Sequence, residues 1–329
     1  MRNTFALPDS FHSTLNAYDL QPTAKKSGLL IENTQQHTLK HIAPTDVSDA
    51  LEQNGALIFR GFGANIDDFT KFSEQFSNQF SYYEGGGLQW RSLNRERVNN
   101  NNSLFTTTGG NIGFYIPLHA EMHYTGSPPK FLWFYCEEAP LDKGQTLLAN
   151  SRVMFEALSN ETRDFFRTNK VKYIRDYKNG EWQQSFNTNE INHLKTLCAE
   201  QACTVQSDTD QNVCIEYTQS AILQDKHQQD CFVNNVLVIH YFEHALESGL
   251  AQAYIPDMKK QASPVKARME NGERFPDRIL LDLAEAAQAV SVPHQWQAGD
   301  IILIDNFQTL HGRNESADKD RKIYVRMGY

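Results

Sequence analysis

"GDIILIDNFQTLHGR", residues 299–313, decides how this chain is read. The unbroken apolar run Ile301–Ile304, set between Asp300 and Asp305, is too short for a helix and reads as a buried strand. A tight turn around Asn306 follows, and His311 arrives directly after it. A histidine delivered there by a buried strand is a candidate ligand, which makes a second stretch informative. "PLHAEMHYTG", residues 117–126, carries His119 and Glu121 one residue apart on what reads as another strand. Residues i and i+2 of a strand project from one face, so the two heads look into the same space. They form either a solvated surface pair or two ligands of one ion. Burying a carboxylate without a partner costs several kcal/mol, which argues for a nearby cation. With His311 as the third donor, two imidazoles and one carboxylate occupy one side of an ion and leave the other side open. That is the arrangement of non-haem Fe(II) oxygenases.

Composition narrows the function classes. The chain has 329 residues and a formal net charge of −9, without a dense Lys/Arg run, which argues against nucleic acid or an anionic membrane as partner. The opening "MRNTFALPDSFHST" lacks the apolar core of a signal peptide, and no window approaches the roughly 18 apolar residues of a membrane span. A cytoplasmic enzyme acting on a small-molecule substrate is expected; nothing in the sequence speaks to its oligomeric state. The five cysteines, an odd number without CxxC spacing, read as reduced thiols.

The patterning predicts an α+β fold, mainly β, with an antiparallel strand core and helices packed outside. An irregular N-terminal arm over residues 1–25 precedes a single domain over 26–329. Strands are expected at "GLLIENT", "ALIFRGF", "PKFLWFYCEEAP", "VKYIRDY", "VLVIHYF" and "RKIYVRMGY", and helices at "APTDVSDALEQNG", "NIDDFTKFSEQF", "SRVMFEAL", "ETRDFFRTN" and around 277–289. Residues 81–114 read as a long loop, with Tyr82, Tyr83, Trp90 and Arg91 as candidates for a lid over the substrate or for surface roles. Residues 180–230 are polar and poorly periodic.

Arg321 and Arg326 lie on the last strand, where an arginine fork can bind a carboxylate bidentately. Their odd spacing puts them on opposite faces unless a bulge intervenes, so one is expected in the pocket, with Arg321 preferred and a salt bridge to Asp318 or Asp320 as its other reading. Arg313 reads as a contact beside the ligand histidine or on the surface, and His123 as a neighbour of the ligands or of the substrate. Asn306 and Trp296 read as turn and packing residues, and His240 and His244 as core or helix-start residues.

In order along the chain, "GALIFRGF", "LHAEMHY" with "PPKFLWFYCEEAP", "GQTLLANSR" and "GDIILIDNFQTLHGRN…RKIYVRM" resemble the taurine dioxygenase and clavaminate synthase-like family of Fe(II)/2-oxoglutarate oxygenases. The resemblance implies a distorted double-stranded β-helix, or jelly roll, with flanking helices, and iron held by His119, Glu121 and His311. It further implies that Thr146 and an arginine of the last strand, Arg321 or Arg326, bind 2-oxoglutarate, and that O2 is consumed. The family usually carries two arginines four residues apart, and here Lys322 stands at that spacing from Arg326. The implied reaction is oxidation, by default hydroxylation, of a C–H bond of a small metabolite, with 2-oxoglutarate converted to succinate and CO2. Desaturation or cyclisation needs only a different fate for the same radical. The residues alone also allow a hydrolase in which the same three ligands hold zinc, or a silent binding module.

Overall fold

Successive side chains of residues 301–304 enter two different cores: Ile301 and Leu303 one, Ile302 and Ile304 the other. Both faces of this strand are therefore covered, which is why the run is uniformly apolar rather than alternating. The computed structural model describes residues 15–19, 27–34, 37–81, 97–98, 101–107, 113–209, 212–248, 265–318 and 320–329.

The strands are β1 (Leu15–Asp19), β2 (Leu29–Asn33), β3 (Ala56–Arg60), β4 (Arg97–Val98), β5 (Asn101–Thr106), β6 (Ile116–His119), β7 (Phe131–Glu138), β8 (Thr146–Asn150) and β9 (Val171–Tyr177). They continue with β10 (Thr204–Thr209), β11 (Asn212–Gln219), β12 (Ile222–Gln224), β13 (Asp230–Phe232), β14 (Lys266–Met269), β15 (Val292–His294), β16 (Ile301–Asp305), β17 (Thr309–Arg313) and β18 (Lys322–Gly328). Among the described residues the helices are α1 (Pro44–Asn54), α2 (Ile66–Ser73), α3 (Ser151–Ala157), α4 (Asn160–Thr168), α5 (Glu181–Phe186), α6 (Ile191–Ala199), α7 (Val236–Glu247) and α8 (Asp277–Val290).

An eight-stranded sheet in the order β1-β2-β3-β16-β7-β18-β5-β4 faces a four-stranded sheet in the order β15-β8-β17-β6. The pairings are antiparallel except β2 with β3. Between the sheets lie Ile58, Phe134, Leu148, Ile302 and Val325. The outer face of the large sheet is closed by α1 and α2, with Phe69 and Phe72 packed against Phe59, Trp133 and Tyr135. Helix α1 starts with Pro44 at its first turn and stops at Gly55, whose φ of 73° only glycine adopts without strain. The outer face of the small sheet is closed by α3, α7 and α8. A further sheet, β10-β11-β9-β14, builds a separate core from Tyr177, Trp182, Leu194 and Ile215. The mixed, mainly β fold expected from the sequence is the one observed, and the five cysteines are free thiols. No described helix is long and apolar enough to cross a membrane.

Four local expectations are corrected. "VLVIHYF" is not a strand but the start of α7: a short apolar run has no period that separates the two, and Asn234 decides by accepting from the Val236 N–H. Within the N-terminal stretch expected to be irregular, Leu15–Asp19 pairs with β2, whose open edge supplies its hydrogen bonds. Residues 97–98 and 101–106, expected in a loop, form a hairpin that sends Leu104 and Phe105 to opposite faces of the large sheet. Polar residues 204–224 hold paired strands because alternate positions of β11, Val213 and Ile215, are buried. Tyr82, Tyr83, Trp90 and Arg91 lie outside the described residues.

Candidate metal centre and cosubstrate cleft

His119 and His311 are direct cross-strand partners at the junction of β6 and β17, and their ring centroids are 4.3 Å apart. Glu121 joins them by a different route from the one expected. The strand ends at His119, and Glu121 begins a turn whose next residue, Met122, has a φ of 57°. The shared-face rule for strands therefore does not act on the pair; the bend carries the carboxylate back. Glu121 Oε2 lies 4.0 Å from His119 Nε2 and 3.6 Å from His311 Nε2.

Two side-chain amides and one backbone carbonyl hold this bend. Asn306, 1% exposed, accepts from the Glu121 N–H (2.8 Å) and donates to the Glu121 carbonyl (2.9 Å) and the Pro129 carbonyl (2.8 Å). On the other side the Ala120 N–H donates to the Asn234 carbonyl, and Asn235 Nδ2 donates to the Ala120 carbonyl at 2.8 Å. The peptide between the two candidate ligands is thus held from both directions. His119 Nδ1 sits 2.9 Å from the Pro117 carbonyl, which can only accept; Nδ1 therefore carries the proton and Nε2 keeps its lone pair. Gly312 permits the crossing of β17 over β6: a Cβ there would lie 2.6 Å from the Ile116 carbonyl oxygen.

The donor atoms of His119, Glu121 and His311 all lie within 4.8 Å of one another, with the carboxylate almost fully buried. Metal–ligand bonds of about 2 Å place ligand atoms roughly 3 Å apart, so modest side-chain adjustment would seat one divalent cation. Two neutral imidazoles and one carboxylate suit a first-row metal and leave it a residual positive charge. The residues present fit a ferrous ion.

The triad opens into a cleft enclosing about 950 Å³ of empty space, part of it continuous with solvent, between the two sheets and α7. Thr146 and Arg321 line it beside the triad, as does Arg313. Thr146 Oγ1 accepts from Trp296 Nε1 at 3.2 Å, which leaves the hydroxyl proton to donate elsewhere. Trp296, expected as packing alone, thus also orients this hydroxyl. Arg321 is 8% exposed, and its Nη2 is buried without a hydrogen-bond partner among the described residues. The Arg321 guanidinium is buried rather than engaged in a surface salt bridge; the Asp318 carboxylate accepts from the Arg321 backbone N–H instead. Burial lowers the pKa of the Arg321 guanidinium, with Asp318 and Cys136 opposing that shift. Arg313 is also buried, donates to the Phe114 carbonyl at 2.9 Å, and is pushed down to about 9 by burial and by the neighbouring Arg321. Two buried guanidiniums along one cleft form a receptor for an anion.

Arg326 faces the other way, which corrects its candidacy. Ile323, Val325 and Met327 of β18 enter the core between the sheets, while Tyr324 lies in the outer core; Arg326 belongs to that opposite face. Its guanidinium donates to Ser103 Oγ, Ser73 Oγ and the Thr70 carbonyl, meets Glu74 at 3.3 Å, and lies 3.9 Å over the Phe80 ring. Alternation on the strand, not distance along the chain, separates it from the cleft. His123 is buried away from the cleft, its pKa pushed down to about 4 by burial against the pull of Glu121. His240 is half-buried on α7, with burial lowering its pKa.

A model of the family described as taurine catabolism dioxygenase TauD, TfdA family, matches residues 17–327. Among curated proteins, the chain is 25% identical over 271 residues to the dapdiamide synthesis protein DdaC of Enterobacter agglomerans, covering 81% of this chain and 80% of that protein. It is 26% identical over 298 residues to a clavaminate synthase-like protein of Arabidopsis thaliana, covering 85% and 81%. Among solved structures, the fold is similar to that of PvcB of Pseudomonas aeruginosa, described as an Fe, alpha-ketoglutarate dependent oxygenase from an isonitrile synthetic pathway. The TM-score there is 0.58 at 14% identity, over 99% of this chain and 94% of that one. A taurine dioxygenase from Burkholderia xenovorans gives 0.53 at 14% identity, over 96% and 89%.

Proposed function

This chain belongs to the taurine catabolism dioxygenase TauD, TfdA family and is an Fe(II)- and 2-oxoglutarate-dependent dioxygenase; from that premise we propose that it oxidises, by hydroxylation, a C–H bond of a small metabolite. In this reading His119, Glu121 and His311 hold the iron, and Arg321 with Thr146 receives the far carboxylate of 2-oxoglutarate. The strands form a distorted double-stranded β-helix within a single domain of a cytoplasmic enzyme. The observation that carries the reading is the meeting, in one cleft, of three metal donors within 4.8 Å and a buried guanidinium nitrogen with no partner among the described residues.

When bound, iron and 2-oxoglutarate supply the oxidising chemistry: the keto acid loses CO2 to become succinate, and one atom of O2 goes to the substrate. The chain supplies everything else. Arg321 and the Thr146 hydroxyl fix the keto acid by its distal end, and Trp296 keeps that hydroxyl turned to donate. Asn306, Asn234 and Asn235 keep the Glu121 carboxylate in place without touching the metal. Phe134, Ile239 and Phe242 line the cleft with apolar surface and limit water around the reacting atoms. A hydrolase built on the same ligands has no use for a buried arginine waiting for a carboxylate.

The test is succinate release. Protein supplied with Fe(II), ascorbate, 2-oxoglutarate and air should convert 2-oxoglutarate to succinate, and a screen of small metabolites should find compounds that stimulate it. Product formation from such a compound without any consumption of 2-oxoglutarate would replace this reading with a hydrolytic one.

A further inference from the structure

Asn235 does two things, and only one of them is complete. The residue is 2% exposed and lines the cleft next to the triad. The Ala120 carbonyl beside it can only accept, so the amide atom facing that carbonyl is Nδ2. This fixes the orientation of the amide and turns Oδ1 away from the ligand strand. Oδ1 is buried and accepts nothing among the described residues. A buried carbonyl left unpaired costs about 1–3 kcal/mol, a cost that buried polar groups in folded proteins rarely carry without a reason. Meanwhile the first turns of α7 put Val238, Ile239 and Phe242 on the cleft wall, where Ile116 and Val265 extend the apolar surface.

On the oxygenase reading above, we infer that Asn235 Oδ1 is the acceptor that positions the substrate. The substrate class is an amphipathic small molecule that donates a hydrogen bond, from an amide or amine N–H, and lays an aliphatic or aromatic group along Val238, Ile239 and Phe242. The same amide that binds the substrate holds the Ala120 peptide between two metal ligands. Substrate position and ligand position are therefore referred to one side chain.

The experiment uses two probes of equal heavy-atom count, N-butylacetamide and butyl acetate, which differ in the N–H. Binding is measured by ligand-observed NMR on protein loaded with zinc in place of iron and with 2-oxoglutarate. The wild-type protein should bind the amide about tenfold more tightly than the ester, the factor expected for one satisfied buried acceptor. Asn235→Ala should erase that preference, whereas Val238→Ala should weaken both probes and keep it. Equal binding of the two probes to wild type overturns the inference, whether or not Asn235→Ala folds; so does a preference that survives in a folded Asn235→Ala. Zinc and 2-oxoglutarate binding are measured separately by calorimetry. Their failure would count against the oxygenase reading, while the probe preference remains readable on the unloaded protein.

Discussion

The side-chain amide of Asn306 bonds the backbone of Glu121 in both directions, accepting from its N–H at 2.8 Å and donating to its carbonyl at 2.9 Å. A turn residue on one strand connection thereby fixes a candidate metal ligand 185 positions earlier in the chain. Asn306→Ala leaves three buried backbone groups unpaired. It should cost about 2–4 kcal/mol in denaturant unfolding and weaken Fe(II) binding roughly 10–100-fold. Unchanged iron affinity in the folded variant would show that the bend holds itself.

Arg321, immediately before β18, and Arg326 within it should behave as opposites. Arg321→Ala removes a buried cation with an unpartnered nitrogen, so stability should hold or rise while the apparent constant for 2-oxoglutarate rises on the order of 100-fold. Arg326→Ala breaks a network of buried hydroxyl and carbonyl partners and should lose about 3 kcal/mol of stability with 2-oxoglutarate binding unaltered. Calorimetric titration of 2-oxoglutarate with parallel urea unfolding reads both; a reversed pattern would mean that the faces of β18 are misassigned.

Gly312 is a steric requirement. The Cβ of Gly312→Ala would sit 2.6 Å from the Ile116 carbonyl oxygen, so β17 and β6 must part at the point where the two histidines face each other. A loss of about 1–3 kcal/mol is expected, together with weaker iron binding, measured by unfolding and metal titration. Wild-type values for both would show that the strands separate freely.

Asp300 predicts a pH dependence. Burial pushes its carboxyl up, but hydrogen bonds from Arg60, from His294 and from the Gln297 N–H outweigh it, and the folded pKa lies below the ordinary value. A depressed carboxyl stabilises the fold fully above its unfolded pKa, about 4, and loses that contribution as pH falls through the folded pKa. Asp300→Asn should therefore be less stable than wild type by about 3 kcal/mol near neutrality, with the gap closing below about pH 4. A gap constant from pH 7 to 2 would contradict this account.

The parts of this molecule legible in its sequence are those governed by a local period. The apolar runs at Leu57–Phe59, Leu132–Tyr135 and Ile301–Ile304 are strands because both of their faces are covered. The opposite orientation of Arg321 and Arg326 follows from counting along a strand. An alternation argument singles out His119 and Glu121, yet the structure brings them together with His311 through a turn rather than along a strand face. Asn235, Asn306 and Trp296 carry no such signal. Each acts on a backbone or hydroxyl more than 100 positions away, and only the folded topology supplies its partner. For α7 the run Val236–Phe242, apolar but for His240, suits strand and helix equally, and the Asn234 side chain that accepts from the Val236 N–H is the cue that separates them.

The most direct test is anaerobic Fe(II) titration of the wild-type protein and of His119→Ala, Glu121→Ala and His311→Ala, each checked for native circular dichroism. One iron per wild-type chain and affinity at least ~100-fold weaker in every variant are predicted, since in the proposed centre each residue supplies a coordinating atom rather than a supporting contact. Wild-type iron affinity in any one of the three would contradict a shared centre.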